Sequence, residues 1–428
     1  MSKVVYYLKY AVRRKGDLFM EMFREIKEHL IYNLIPFWKN LRDDTYGGFY
    51  GRVDSSGKVY PDAEKSCIVN SRILWFFSSC YNLCREGIIS ENRLSEAGCS
   101  SADLIDDARY AFDFLKDAFV DREYGGVVWS VTCDGKMLDT TKHTYNQAFA
   151  VYALTAYYEA SGDDEAVKLA RYIKNSIESH LSDGNGYLDQ FSRGFDRVTN
   201  DKLSENNVTA ERTKNSLINV MEAYTEIFRL TGDIIIKEKI IEILNTLKDR
   251  MFNPSKDRLE VFFDRDYNSL IDLHTYGHDI EISWLLDRTL DAIGERDSQP
   301  EISEMSRRIA DKVKEVAFDG RSVSYECENG VVNPARAWWV QGEAFTGFLN
   351  AYMKDRSRTD MLEAAEAVWG FIRDYIIPST DGPSEWYNEV SADGIPDLTK
   401  DIVDLWKGPF HSGRMCIEAI KRYEALGI

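Results

Sequence analysis

Apolar positions along this chain recur in two alternating rhythms. The longer rhythm is helical: Phe149, Tyr152, Ala153 and Ala156/Tyr157 fall on one face of a segment that begins at Gln147. That segment stops at Ser161-Gly162. Leu217 to Leu230 repeats the arrangement and stops at Thr231-Gly232-Asp233. The same spacing predicts helices over 19–37, 68–84, 103–119, 165–179, 234–251, 278–293, 301–316, 338–353, 361–375 and 410–426, about twelve in all.

The shorter rhythm is an alternation beside turn residues. Tyr46-Gly47-Gly48-Phe49-Tyr50 leads to Asp54-Ser55-Ser56-Gly57-Lys58, and Tyr124-Gly125-Gly126-Val127-Val128-Trp129 leads to Asp134-Gly135-Lys136 at the same spacing. Each reads as a β-hairpin entered through Gly-Gly and closed by an Asp/Ser-Gly turn. Looser versions over 184–193, 256–267, 319–332 and 385–396 bring the number to about six, roughly 60 to 80 residues apart, with two helices to each. Six antiparallel helix pairs can close into a ring that covers every apolar face, whereas an open solenoid needs caps at both ends. The expected fold is therefore all-α, an (α/α)6 barrel or toroid with short β-hairpin insertions. It should form one domain over 17–428 behind an N-terminal extension of residues 1–16. An open scaffold of tetratricopeptide type has shorter repeats and no hairpins.

Composition narrows the partners. A net charge of −18 argues against nucleic acid and anionic membranes, which need a basic footprint. Seven cysteines without CxxC or paired Cys/His spacing read as reduced thiols, and the cytoplasm is the expected location. Val4 to Leu8, followed by Lys9 to Lys15, is neither a signal peptide nor a spanning helix. A 13% share of aromatics fills a core, but aromatics also form the stacking platforms of carbohydrate sites.

There are only six histidines. In Trp406-Lys407-Gly408-Pro409-Phe410-His411 the proline is suited to a helix start, so His411 falls in the first turn of the last helix. The partial positive charge of that terminus disfavours imidazolium and leaves a neutral base near pH 7; the alternative is a histidine packed between aromatics. In His274-Thr275-Tyr276-Gly277-His278-Asp279-Ile280-Glu281, His278 and Glu281 are three apart on one helix face, and a carboxylate there can fix the imidazole tautomer. The alternative is a capping Asp279 with an incidental surface pair, and His274, outside the helix, reads as structural. Arg72, in Asn70-Ser71-Arg72-Ile73-Leu74-Trp75-Phe76, is either paired in the core or faces a polar cavity. Of Trp338 and Trp339 at most one is expected to line a cavity. Lys142 to Phe149 and Lys214 to Glu222 are polar beginnings of apolar helices, serving a cavity or plain capping. No phosphate loop, no GxSxG elbow and no metal-ligand spacing is present. The chemistry expected is histidine acid/base work without metal or cofactor.

Together these segments resemble the N-acylglucosamine 2-epimerase superfamily, most closely its cellobiose (mannobiose) 2-epimerase branch, from about Phe19 to the C-terminus. The specific matches are Asn70 to Trp75, Tyr276 to Glu281 and Trp406 to Ser412. The resemblance implies an (α/α)6 barrel that inverts C2 of a reducing-end sugar after ring opening, through a cis-enediolate. It assigns the two proton transfers to His278 and His411, a partner carboxylate to Glu281 and enediolate stabilisation to Arg72. It assigns substrate binding to Asn215, Tyr145, Trp339 and Trp406. The partner implied is a small carbohydrate, and the chain is expected to act as a monomer or weak homodimer. One departure stands out: where the branch reads Asn-Thr-His-Leu-His, this chain has Asn215-Ser216-Leu217-Ile218-Asn219. Asn219 can bond a hydroxyl but cannot shuttle a proton, which points to a shifted substrate or a slower enzyme. A monosaccharide epimerase or aldose-ketose isomerase, an (α/α)6 glycoside hydrolase and a silent sugar-binding protein are the competing readings.

Overall fold

The computed structural model describes residues 15–426 apart from 204, 205 and 381; residues 1–14 of the expected extension lie outside them. Thirteen α-helices longer than five residues are present among the described residues. They are α1 (Lys15–His29), α2 (Cys67–Arg85), the short α3 (Glu91–Glu96), α4 (Ser101–Phe114), α5 (Thr144–Ser161), α6 (Asp164–Ser176) and α7 (Lys214–Thr231). They continue with α8 (Ile234–Thr246), α9 (Tyr276–Ile293), α10 (Pro300–Ala317), α11 (Trp338–Lys354), α12 (Thr359–Phe371) and α13 (Phe410–Glu424). The expected first helix starts earlier, at Lys15, and passes through a π turn at Leu30–Leu34 into Ile35–Lys39. The same π turn follows α4, α6, α8 and α12 with no proline in it, so it belongs to the repeat rather than to Pro36.

α2, α5, α7, α9, α11 and α13 each pack on the next, and α13 returns to α2, so the inner ring closes. These helices are buried on most of their faces. α1, α4, α6, α8, α10 and α12 form the outer ring, with one buried stripe each, as amphipathic surface helices do. Closure is made by the chain ends, because α1 packs against both α13 and α12. The (α/α)6 expectation holds, and the main core lies between the two rings. No described helix is long and apolar enough to cross a membrane.

Two of the inner-to-outer reversals are compact for the same local reason. Gly162 and Gly232 cap α5 and α7 at φ +72° and +62°, a left-handed conformation that glycine adopts without strain. The next residues, Asp163 and Asp233, accept from the N–H of Glu165 and Ile235 and start the following helix.

The outer-to-inner connections differ from simple hairpins. Gly47-Gly48 belongs to a separate tight turn closed on Asp43, and the hairpin proper follows, bridging Val53 to Val59. The main ladders run between repeats: Lys65–Ser66 pairs antiparallel with Ser130–Val131, Lys142–His143 with Gln190–Phe191, and Arg212–Thr213 with Phe262–Phe263. Leu273–Thr275 pairs with Glu326–Glu328 and Arg336–Ala337 with Glu389–Val390, while Val403 bridges back to Val53. Each strand that leads into an inner helix is thus held by the next hairpin round the ring.

Ion pairs fix the same junctions. Lys65 donates to Asp43 (2.6 Å) and to Gly47 O (2.7 Å); Lys142 donates to Asp121 and to Gly125 O (both 2.9 Å). Arg212 meets Asp183, whose side chain is buried, and Arg336 meets Asp319, whose side chain is exposed, both at 2.7 Å. Lys142 therefore serves a structural junction rather than a cavity. The backbone carbonyls that satisfy each ammonium are what make such desolvated pairs tolerable.

Candidate active site

All six inner helices start at the same end of the barrel, where they enclose a chamber of about 290 Å³. It is lined by every residue singled out from sequence: Arg72, Tyr145, Asn215, Asn219, His278, Glu281, Trp339, Trp406 and His411. All but Trp406, which precedes α13, come from the first two turns of a helix. Helix N-termini carry partial positive charge, so the chamber suits a substrate that develops negative charge on oxygen.

His411 is the second residue of α13, as its proline predicts. Its Nδ1 lies 2.7 Å from Glu343 Oε1, and its ring packs against Trp339 at 5.7 Å between centroids. Burial, helped by the charges of Arg72, Arg414 and Lys407, lowers its pKa well below the usual histidine value. His278 packs on the same indole at 4.7 Å, and burial with the Lys214 charge lowers its pKa to about 3. Both imidazoles are neutral at pH 7. They stand on one tryptophan and face one chamber.

Glu281 does not pair with His278 as expected from their spacing. Its carboxylate receives Arg414 instead, while His278 Nδ1 is buried without a hydrogen-bond partner. The carboxylate that meets an imidazole is Glu343, four residues after Trp339 on α11. Arg414 donates to Glu222 (2.9 Å), to Glu343 (2.7 Å) and to Glu281, and Trp284 Nε1 donates to Glu343 Oε2 (3.1 Å). Glu281, Glu343 and His411 bring donor atoms within 4.8 Å of one another, and Arg414 is the cation bonded to both carboxylates. Burial raises both Glu222 and Glu281 to about 7.

Arg72 donates to Tyr145 Oη (2.7 Å) and to the carbonyl of Trp406, with its guanidinium 4.7 Å from the Phe149 ring centre. It is thus paired and cavity-facing at once. Trp406 is held by its N–H on Asp404 (2.7 Å) and packs at 5.0 Å on Trp129. Asn219 donates to Asn215 O (2.8 Å) and Oδ1 (3.0 Å), so its amide is engaged within its own helix. Trp338 also borders the chamber, contrary to the expectation that one tryptophan alone would do so. At the very start of a helix both side chains reach the opening, although Trp338 is mostly buried and has Lys407 Nζ 4.3 Å from its ring centre. His274 is structural as expected, its Nε2 3.0 Å from Asp279. Asp279 is no exposed cap; it is buried and accepts from Lys214 Nζ (2.6 Å).

Sequence reading missed Glu343, Glu222 and Arg414 as a unit, along with Tyr325, Asn388 and Asp404 at the rim. A charged residue inside an otherwise apolar inner helix was the available signal, the same one that marked Arg72.

The model of the family described as N-acylglucosamine 2-epimerase (GlcNAc 2-epimerase) matches residues 48–404. A cellobiose 2-epimerase of Ruminococcus albus is 40% identical over 401 residues, covering 94% of this chain and 99% of that protein. One of Eubacterium cellulosolvens is 40% identical over 412 residues, covering 92% and 97%. Among solved structures, a sugar epimerase from a ruminal bacterium superposes with a TM-score of 0.88 at 39% identity, covering 94% and 99%. A cellobiose 2-epimerase from Bacillus thermoamylovorans gives 0.85 at 37%, with the same coverage. With its closed double ring of helices and its chamber at the inner N-termini, this chain belongs to the N-acylglucosamine 2-epimerase family.

Proposed function

We propose that the protein is a carbohydrate 2-epimerase acting on the reducing-end sugar of β-1,4-linked disaccharides of the cellobiose and mannobiose type. The observation that carries this reading is the pair of neutral imidazoles, His278 and His411, packed on Trp339 at 4.7 and 5.7 Å and facing one chamber. In the open-chain sugar the C1 carbonyl acidifies the C2 hydrogen. One imidazole removes it, and the other returns a proton to the opposite face of the planar cis-enediolate. Arg72, held by Tyr145 and the Trp406 carbonyl, stabilises the enediolate oxygens. Trp339 and Trp406 bind the sugar rings, and Asn215 and Asn219 present amide groups at the wall.

Hydrolysis would need two available carboxylates across the scissile bond. The two at the chamber, Glu281 and Asp404, are engaged by Arg414 and by the N–H groups of Trp406 and Lys407. The seven free cysteines support a cytoplasmic location, and we expect a monomer or weak homodimer.

Incubation with cellobiose in heavy water tests the reading. Deuterium at C2 and a mannose-configured reducing end are expected. Free glucose would overturn it in favour of hydrolysis, and a keto sugar as sole product in favour of isomerisation.

A further inference from the structure

Beneath the chamber three carboxylates converge on one guanidinium. Glu222 from α7, Glu281 from α9 and Glu343 from α11 all bond Arg414 of α13, and all four are buried. Fully ionised, the group would leave two negative charges uncompensated away from water, so near neutral pH the cluster keeps a proton. The rise of Glu222 and Glu281 to about 7, driven first by burial, agrees with this. The other charged and titratable groups facing the cluster and His411 are Arg72 of α2, Tyr145 and Tyr152 of α5, Glu226 of α7, His278 and Arg288 of α9, and Lys407 before α13. Glu343 is the member whose carboxylate touches an imidazole, 2.7 Å from His411 Nδ1.

We propose that Glu343 is a positioning residue that sets the tautomer of His411, and that the Glu222–Glu281–Glu343 cluster stores the proton used at C2. The inference rests on the epimerase reading. With Glu343 protonated, its O–H donates to Nδ1 and His411 presents Nε2–H to the substrate as an acid. Transfer of that proton to C2 is matched by transfer of the Glu343 proton to Nδ1. Glu343 ends as carboxylate, the imidazole ends neutral, and Nε2 carries a lone pair. For the other epimer the steps reverse: Nε2 takes the C2 proton and Nδ1–H returns a proton to Glu343. The imidazole is never left as a buried cation, which its surroundings disfavour. After each turnover His278 exchanges its proton with chamber water, and water resets Glu343 through the same imidazole.

The test uses the full chain labelled with ¹⁵N-histidine. In wild type, His411 should switch from Nε2–H to Nδ1–H between pH 5 and 9, as the buried cluster gives up its proton. Glu343→Gln keeps the size of the side chain but has no proton to exchange. It should show one tautomer at every pH, with kcat for cellobiose lowered about 100-fold and KM changed far less. Glu222→Gln leaves the His411 contact in place and removes one negative charge, so the switch should move to lower pH. That shift carries the test if Glu343→Gln fails to fold. A wild-type tautomer constant from pH 5 to 9, or wild-type kcat in Glu343→Gln, would overturn the proposal. Loss of sugar affinity equal to the loss of kcat would overturn it as well. Failure of the epimerase reading shows separately, as absence of C2 deuterium in wild type while the switch persists in the free protein.

Discussion

Gly277 lets the indole of Trp339 lie directly on the first turn of α9. A Cβ placed at Gly277 would stand 2.4 Å from Cζ3 and 2.5 Å from Cη2 of Trp339, well inside contact distance. The residue before His278 thus sets where the ring shared by both imidazoles can sit.

Gly277→Ala should therefore push the indole out of place and also press on the buried Val340, whose Cγ2 would stand 2.8 Å from the new methyl. A displacement near 1 Å in a catalytic constellation costs about 100-fold in rate. Kinetics with cellobiose should show a loss of that order in kcat/KM, with the thermal midpoint lowered by the overpacking at Val340. Wild-type kcat/KM would mean the indole position is not critical.

His278 should stay neutral across the physiological range. Its folded pKa is depressed from 6.5 to about 3, so between these values the unfolded chain binds a proton that the folded chain does not. This group therefore makes stability fall as pH falls from about 6.5 through 3 and has no effect above that window. The imidazole resonances of His278 should show no titration between pH 5 and 8. A midpoint near 6.5 would contradict the burial argument.

Arg414→Met removes the cation from three buried carboxylates. Breaking a buried ion pair from one side costs about 3–5 kcal/mol. Protonation relieves the repulsion, so the deficit should grow as pH rises through about 7, where Glu222 and Glu281 ionise. Urea unfolding at pH 5 and pH 8 measures it. An equal deficit at both values would show that the carboxylates are not the cause.

Asn219→His puts a titratable ring at the position where the resemblance to the cellobiose epimerase branch leads one to expect a histidine. The present amide is tied to Asn215, so it offers the chamber a hydrogen bond and no proton shuttle. Turnover of cellobiose, or preference between disaccharide and monosaccharide, should change several-fold, within the range of one acid/base contribution of about 100-fold or more. Unchanged turnover and preference would remove Asn219 as the cause of a shifted activity.

Much of the architecture was legible before any coordinates. The helical period predicted the barrel helices, and the recurrence of glycine-rich turns predicted their pairing. Ser161-Gly162-Asp163 and Thr231-Gly232-Asp233 read as helix ends because backbone conformation and capping act within a few residues. Pro409 placed His411 for the same reason. The inter-repeat ladders did not read out, because Lys65 and Val131 are partners only once the ring closes. Gly47-Gly48 misled for a related reason, since a tight turn and a hairpin entry use the same residues.

The sequence by itself determined the repeat and the ring, both consequences of local conformation and apolar periodicity, and its resemblance to the family named nine chamber residues, eight of them in the first turns of inner helices. Tertiary structure alone decided which charge meets which. Spacing offered His278 to Glu281, but Arg414, reaching in from α13, took that carboxylate. Glu343, more than sixty residues before His411 in sequence, became the carboxylate at His411. Electrostatic pairing in a buried space depends on distance and on what else has been desolvated there, and neither is written in the order of the residues.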